Sequence, residues 1–133
     1  MAHYDDLTGK RVVICEDEGI TVMQLERALT RAGLLVVGKA GNGHDGVETV
    51  LRERPDIVLM DIIMPGQNGI DCARQIMAAF PTCIVMLTAN SDQHHMNEAR
   101  DVGAAGYIPK PITSEHLLPA LNQALQMFYE CHP

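Results

Sequence analysis

No stretch of the 133-residue sequence stays apolar for the roughly 18 residues a membrane span needs. Basic side chains are also scarce. Ten Lys and Arg against seventeen Asp and Glu leave a formal net charge of −7, so the basic face required for general nucleic-acid or anionic-membrane binding is missing. Any contact with DNA would have to come from elsewhere. The first residues, Met1-Ala2-His3-Tyr4-Asp5-Asp6, are acidic where a secretory signal has a positive flank, and the expectation is a cytoplasmic protein. Cys15, Cys72, Cys83 and Cys131 form no C-x-x-C pair and no metal-finger spacing. With Cys15 and Cys83 inside apolar runs, reduced and mostly buried thiols are expected. The six histidines are scattered, and the adjacent pair His94-His95 would point apart on a helix, which argues against a histidine metal site.

What the chain does have is apolar sequence in quantity, 47% of the residues, enough to bury one core and form one domain. Five apolar runs of strand length recur, Arg11 to Cys15, Leu34 to Gly38, Asp56 to Met60, Cys83 to Leu87 and Ala105 to Ile108. Segments of helical period separate them. Leu25, Ala28, Leu29 and Ala32 make one apolar face, with Gly33 as a left-handed stop. A second helix is predicted from about Asn42 to His44 and must stop by Arg54, because Pro55 disfavours α geometry in the residue before it. A third runs from Gly69 to Ala79, where Phe80-Pro81 ends it. The fourth, Asp92 to Val102, is polar and stops at Gly103. Leu117, Leu121, Ala124, Leu125 and Phe128 mark the fifth, after a Thr113 N-cap. Pro119 inside it predicts a kink or a late start near Glu115.

Strands alternating with helices predict an α/β fold with a parallel sheet covered on both faces. The doubly wound, flavodoxin-like order 2-1-3-4-5 accommodates all five strands. In such sheets ligands bind beyond the carboxyl ends of the strands. There stand Asp17, Asp61, Thr88 and Lys110, each at or just after the end of an apolar run. Glu16, Asp17 and Asp61 would crowd like charges, which a hard cation relieves. Asp17 and Asp61 are the expected direct Mg²⁺ ligands, with Glu16 behind them or acting through water. Carboxylates also serve as covalent phosphoryl acceptors when nearby cations neutralise the transferred group. Lys110 is the cation for that purpose, Thr88 a hydrogen-bond donor, and Lys110-Pro111 a candidate cis peptide.

Glu16-Asp17-Glu18, Leu59-Met60-Asp61-Ile62-Ile63-Met64-Pro65-Gly66-Gln67-Asn68-Gly69, Met86-Leu87-Thr88-Ala89 and Gly103-Ala104-Ala105-Gly106-Tyr107-Ile108-Pro109-Lys110-Pro111 resemble the receiver domain of two-component response regulators, of the chemotaxis-Y-like kind. The resemblance implies a receiver domain over residues 10–130, with an N-terminal extension at 1–9 and a tail at 131–133. It implies that Asp61 accepts a phosphoryl group from a sensor histidine kinase or a histidine phosphotransfer protein. Mg²⁺, with Mn²⁺ as a substitute, would be held by Glu16, Asp17, Asp61 and the backbone carbonyl of Ile63. Thr88, Ala89 and Lys110 would contact the phosphoryl group, and Tyr107 would change rotamer on activation. Such a chain is not an enzyme in the ordinary sense but an acceptor that assists its own phosphoryl transfer and hydrolysis. The surface of the fourth helix, fifth strand and fifth helix would meet a downstream target or output domain, and is a candidate for phosphorylation-dependent homodimerisation. Two departures stand out. The acidic pair is Glu-Asp where the family often has Asp-Asp, and Ile63 is apolar at a position where the family varies and tunes dephosphorylation.

Rival readings come from other classes. Gly41-Asn42-Gly43-His44-Asp45-Gly46 matches G-x-G-x-x-G, yet it follows the second strand rather than the first, and no substrate domain fits in the chain. A phosphohydrolase with an aspartyl-phosphate intermediate would carry a second carboxylate where Ile63 stands. A phosphorylation-independent interaction scaffold would tolerate loss of an acid, the threonine or the lysine, and this chain keeps them all.

Overall fold

The computed structural model describes residues 7–89 and 95–132. Along the chain run β1 (Arg11–Cys15), α1 (Gly19–Arg31), β2 (Leu35–Ala40), α2 (Gly43–Glu53), β3 (Ile57–Asp61), α3 (Gly69–Ala79), β4 (Cys83–Thr88), α4 (Met96–Asp101), β5 (Gly106–Pro109) and α5 (Ser114–Cys131). The five strands are parallel and ordered β2-β1-β3-β4-β5, the predicted doubly wound arrangement.

Strand periodicity divides the core in two. Val12, Ile14, Ile57, Leu59, Val85 and Leu87 face one side, with Leu25 and Leu29 of α1 and Leu117, Leu121 and Leu125 of α5. Val13, Cys15, Val58, Met60, Ile84 and Met86 face the other, with Val50 of α2 and Ile70, Ala73 and Ile76 of α3. Every residue of β3 and of β4 is buried, as expected of central parallel strands sandwiched between helices. Each buried Val, Leu, Ile or Met side chain there contributes about 1.5–3 kcal/mol. The polar residues that end these strands are thereby fixed to a rigid base.

Several local expectations are refined. Leu34 is buried in the connection before β2, and the strand continues to Ala40 rather than ending at Gly38. The cause is a register irregularity: Val12 pairs with Val36 but Val13 pairs with Gly38. Gly33 takes φ +90°, the expected left-handed stop of α1. Arg54 ends α2 as predicted but enters the left-handed region, φ 49° and ψ 62°, rather than an extended one. Its amide still donates to the Val50 carbonyl at 2.8 Å, and its guanidinium lies 5.2 Å from the Phe80 ring centre. The predicted start of the fourth helix, Asp92, and His94 lie outside the described residues, and that helix ends at Asp101. The fifth helix starts at Ser114, one residue before Glu115, and continues through Pro119 without interruption. Thr113 occupies its N-cap position, but the hydroxyl pairs with His116 Nδ1 at 3.2 Å instead of a backbone amide. Cys15, Cys72 and Cys83 are buried free thiols and Cys131 is exposed. Among the described residues, no helix is long and apolar enough to cross a membrane.

Candidate functional site

Asp61 closes β3 and pairs in register with Leu87 of β4; Thr88 closes β4 and Lys110 follows β5 directly. The Lys110 amide donates to the Thr88 carbonyl at 2.7 Å, tying the ends of β4 and β5 together. The Lys110-Pro111 peptide is cis, as anticipated. Glu16 and Asp17 emerge from β1, and the Glu16 amide donates to the Ala40 carbonyl at 2.9 Å. One carboxylate oxygen from each of Glu16, Asp17 and Asp61 lies within 4.8 Å of the others. Four strand ends thus deliver their side chains to a single crevice.

The Asp61 carboxylate is held at both oxygens. Oδ1 accepts from the Ile63 amide at 3.2 Å and Oδ2 from Lys110 Nζ at 3.0 Å. The same ammonium lies 2.8 Å from Glu16 Oε1, while Glu16 Oε2 accepts from the Glu18 amide at 3.1 Å. Behind the acceptor, Gly69 opens α3 and donates to the Ile62 carbonyl at 2.7 Å. A Cβ at Gly69 would sit 2.0 Å from the Asp61 carbonyl oxygen. Only glycine lets α3 start this close to the strand end.

Charge in the crevice is unbalanced. Burial raises the Glu16 carboxyl, against hydrogen bonds from Lys110 and Glu18 that lower it, and the nearby Asp61 raises it further. Burial alone would lower Lys110, but hydrogen bonds and charge from Glu16 and Asp61 outweigh this and hold it above the ordinary lysine value. Three carboxylates cluster here, and the Lys110 ammonium contacts two of them, Glu16 and Asp61. Glu16 Oε1 is buried, and the Lys110 ammonium 2.8 Å away is its partner. Three carboxylate oxygens within 4.8 Å of one another, with negative charge in surplus, are a donor set that fits a hard divalent cation such as Mg²⁺.

The structure brings together Glu16, Asp17, Asp61 and Lys110, with Thr88 buried beside them at the end of β4. Asp17 is exposed, while Glu16, read from sequence as standing behind it, is 2% exposed and contacts Lys110 directly. Ile63 turns its side chain to solvent, and its amide rather than its side chain engages Asp61. Ala89 is exposed just after Thr88. Tyr107 is 52% exposed, on the opposite face of β5 from buried Ile108. The Glu16–Lys110 pair and the close approach at Gly69 were missed by sequence reasoning. The signal for the second was a glycine at the first position of a helix rather than at its end. The glycines of Gly41-Asn42-Gly43-His44-Asp45-Gly46 turn out to face their own chain: a Cβ at Gly43 would meet the Gln67 carbonyl oxygen at 2.6 Å, and one at Gly46 would meet Cys15 Sγ at 3.0 Å. The closeness at Gly43 and Gly46 serves packing.

Comparison with known proteins agrees with this geometry. The family model for the response regulator receiver domain matches residues 12–122. The transcriptional regulatory protein PdtaR of Mycobacterium tuberculosis is 40% identical over 126 residues, 95% of this chain and 62% of PdtaR. The chain therefore spans about three-fifths of that relative's length. The chemotaxis protein CheY of Thermotoga maritima is 40% identical over 116 residues, 86% of this chain and 97% of CheY. Among solved structures, the receiver domain of sensor histidine kinase PA1611 from Pseudomonas aeruginosa PAO1, with a magnesium ion coordinated in the active site cleft, superposes with a TM-score of 0.79. That match has 26% identity and covers 90% of this chain and 99% of the other. A crevice of three acids and a lysine at the carboxyl ends of a 2-1-3-4-5 sheet, in a chain matched over residues 12–122, places the protein in the response regulator receiver domain family of two-component systems.

Proposed function

We propose that Asp61 accepts a phosphoryl group from the phosphohistidine of a sensor histidine kinase or a histidine phosphotransfer protein in the cytoplasm. The observation that carries this reading is the Asp61 carboxylate itself, fixed by Lys110 Nζ at 3.0 Å and the Ile63 amide at 3.2 Å, beside Glu16 and Asp17. Such fixation orients a weak nucleophile without a separate base. Asp17 and Asp61, with the Ile63 carbonyl, would hold Mg²⁺ or its substitute Mn²⁺, and Glu16 would act through a bridging water. The cation, when bound, supplies charge neutralisation for the phosphoryl oxygens. Lys110 would hold the remaining negative charge on the acceptor side, and Thr88 and Ala89 would contact the phosphoryl oxygens. The protein thus assists its own transfer and hydrolysis, without turning over a separate substrate.

The added group brings about −1.5 to −2 in charge. Thr88 moving toward it would leave space for Tyr107, now largely exposed, to turn inward. This changes the α4-β5-α5 surface that meets a target, an output domain or a second copy of the chain. Incubation with acetyl phosphate and Mg²⁺ is expected to add one phosphoryl group by intact mass to the wild type and none to Asp61→Asn. Modification of the Asp61→Asn protein would overturn the assignment. Absence of modification in both would favour a phosphorylation-independent interaction scaffold.

A further inference from the structure

The glycine turn that enters α2 lies against the loop that follows Asp61. Pro65 O accepts from the Gly43 amide at 3.4 Å, and Cys72 Sγ, at the start of α3, lies 3.5 Å from the Gly43 carbonyl and 4.0 Å from that of Gln67. A Cβ at position 43 would stand 2.6 Å from the Gln67 carbonyl oxygen, 2.8 Å from Gln67 Cβ and 2.8 Å from Cys72 Sγ. The turn is itself rigid, because Asn42 caps α2 by accepting from the Asp45 amide at 2.9 Å and donating to the Asp45 carboxylate at 2.9 Å. On its other side the loop is anchored by buried Ile62 and Met64 and by the Gly69 amide on the Ile62 carbonyl.

We infer that Gly43 is a positioning residue for the cation site: its bare backbone braces the 62–68 loop and so sets where the Ile63 backbone stands relative to Asp61. The brace rests on the reading of Glu16, Asp17, Asp61 and Ile63 as the Mg²⁺ site. It also accounts for a glycine motif that no nucleotide explains. Two of the contacts at position 43 are to Gln67, inside the loop, so a methyl group there must displace the loop or α2. The Asn42 cap and the packed face of α2 resist the second movement, which leaves the loop to yield at its largely exposed part, residues 65–68. Gly41 and Gly46 lie on the same turn and provide internal controls. A Cβ at Gly41 meets only Asp17 Cα at 3.9 Å, an ordinary contact, and one at Gly46 meets only Cys15, with no atom of the 62–68 loop within 4 Å.

The test is Mg²⁺ titration by isothermal calorimetry of the wild type, Gly41→Ala, Gly43→Ala and Gly46→Ala, with the Ile63 amide followed by ¹H–¹⁵N NMR in metal-free protein. Gly43→Ala is expected to weaken Mg²⁺ binding at least tenfold and to shift the Ile63 amide. Gly41→Ala and Gly46→Ala should bind within twofold of wild type, whatever their melting temperatures. If Gly43→Ala does not fold, Gly43→Ala/Cys72→Ala removes the sulfur contact and leaves both Gln67 contacts, and it too should bind at least tenfold more weakly. Wild-type affinity in the folded position-43 variants overturns the brace, as does equal weakening in all three single variants. A wild type that binds no Mg²⁺ overturns instead the reading of the site.

Discussion

Replacing Lys110 with methionine keeps the stem of the side chain and removes its charge from between two carboxylates. The ammonium lies 2.8 Å from Glu16 Oε1 and 3.0 Å from Asp61 Oδ2. At an effective dielectric of about 20, one such contact is an attraction of roughly 6 kcal/mol before desolvation. Removing one partner from a buried pair costs about 3–5 kcal/mol, because the other charge is left buried. The Glu16 side chain is 1% exposed but that of Lys110 is 26% exposed. Solvent screening on the lysine side reduces the expected loss to about 2–3 kcal/mol. For a domain of this size that is a fall in Tm of roughly 6–15 °C at neutral pH. The pH dependence follows from two raised groups. Glu16, held above the ordinary carboxyl value by burial and pulled down by Lys110, rises further when the lysine is removed, so the deficit of the variant shrinks as pH falls from the variant's value to the raised wild-type one. Lys110 in the wild type is also raised, so its stabilisation is fully present below the ordinary lysine value and is lost as pH rises through the raised one. The difference in Tm should therefore be widest at neutral to mildly alkaline pH. Mg²⁺, binding only the folded state, should stabilise the variant more than the wild type. Thermal melts by circular dichroism from pH 5 to 8, with and without Mg²⁺, measure all of this. A Tm deficit that is the same at every pH and in both conditions would mean that Lys110 acts by packing, and the charge argument would fail.

Two further outcomes rest on independent features. Gly69→Ala places a Cβ 2.0 Å from the Asp61 carbonyl oxygen, so the urea midpoint should fall by the equivalent of about 2–3 kcal/mol and acetyl phosphate labelling should drop with it; an unchanged midpoint would refute the close packing of α3 on β3. Burial pushes the thiols of Cys15 and Cys83 up to about 12 and that of Cys72 up to about 11, while Cys131 is exposed. At pH 8 a thiol-specific disulfide reagent should therefore react rapidly with one cysteine in the native protein and with all four after unfolding, and a second fast-reacting native thiol would contradict the buried cores.

The fold was legible where a physical rule acts over a short window. Alternation of apolar runs and helical stripes predicted every strand and helix of the described residues, and handedness pruned the topologies to a few, among which 2-1-3-4-5 fitted all five strands and is the order found. The four strand-end residues were legible for the same reason, since a parallel sheet brings all its carboxyl ends to one edge. What escaped depends on distances between segments far apart in the chain. The register irregularity beside Val12 lengthens β2 to Ala40, and no local pattern in Leu34 to Gly38 signals it. Glu16 was ranked behind Asp17 because the sequence does not say which of two adjacent acids points inward. The side chain of Glu16 is buried next to Lys110, whereas that of Asp17 faces solvent.

Burial of Glu16 also gives the proposed switch its physical setting. An acid crevice at the surface would be screened by water, and the arrival of a phosphoryl group would be a small change in a large dielectric. Here Glu16, Asp61 and Thr88 are each 5% exposed or less, so an added charge is felt at close range and has few polar partners to turn to. One of them is Thr88, whose carbonyl is already bonded to the Lys110 amide at 2.7 Å. Any movement of the end of β4 toward the phosphoryl group therefore pulls on the residue that follows β5. Tyr107 lies three positions before Lys110 and pairs in register with Met86 of β4. The path from acceptor to exposed aromatic crosses one hydrogen bond and a few peptide units, short enough for a local charge to change the α4-β5-α5 surface without disturbing either half of the core.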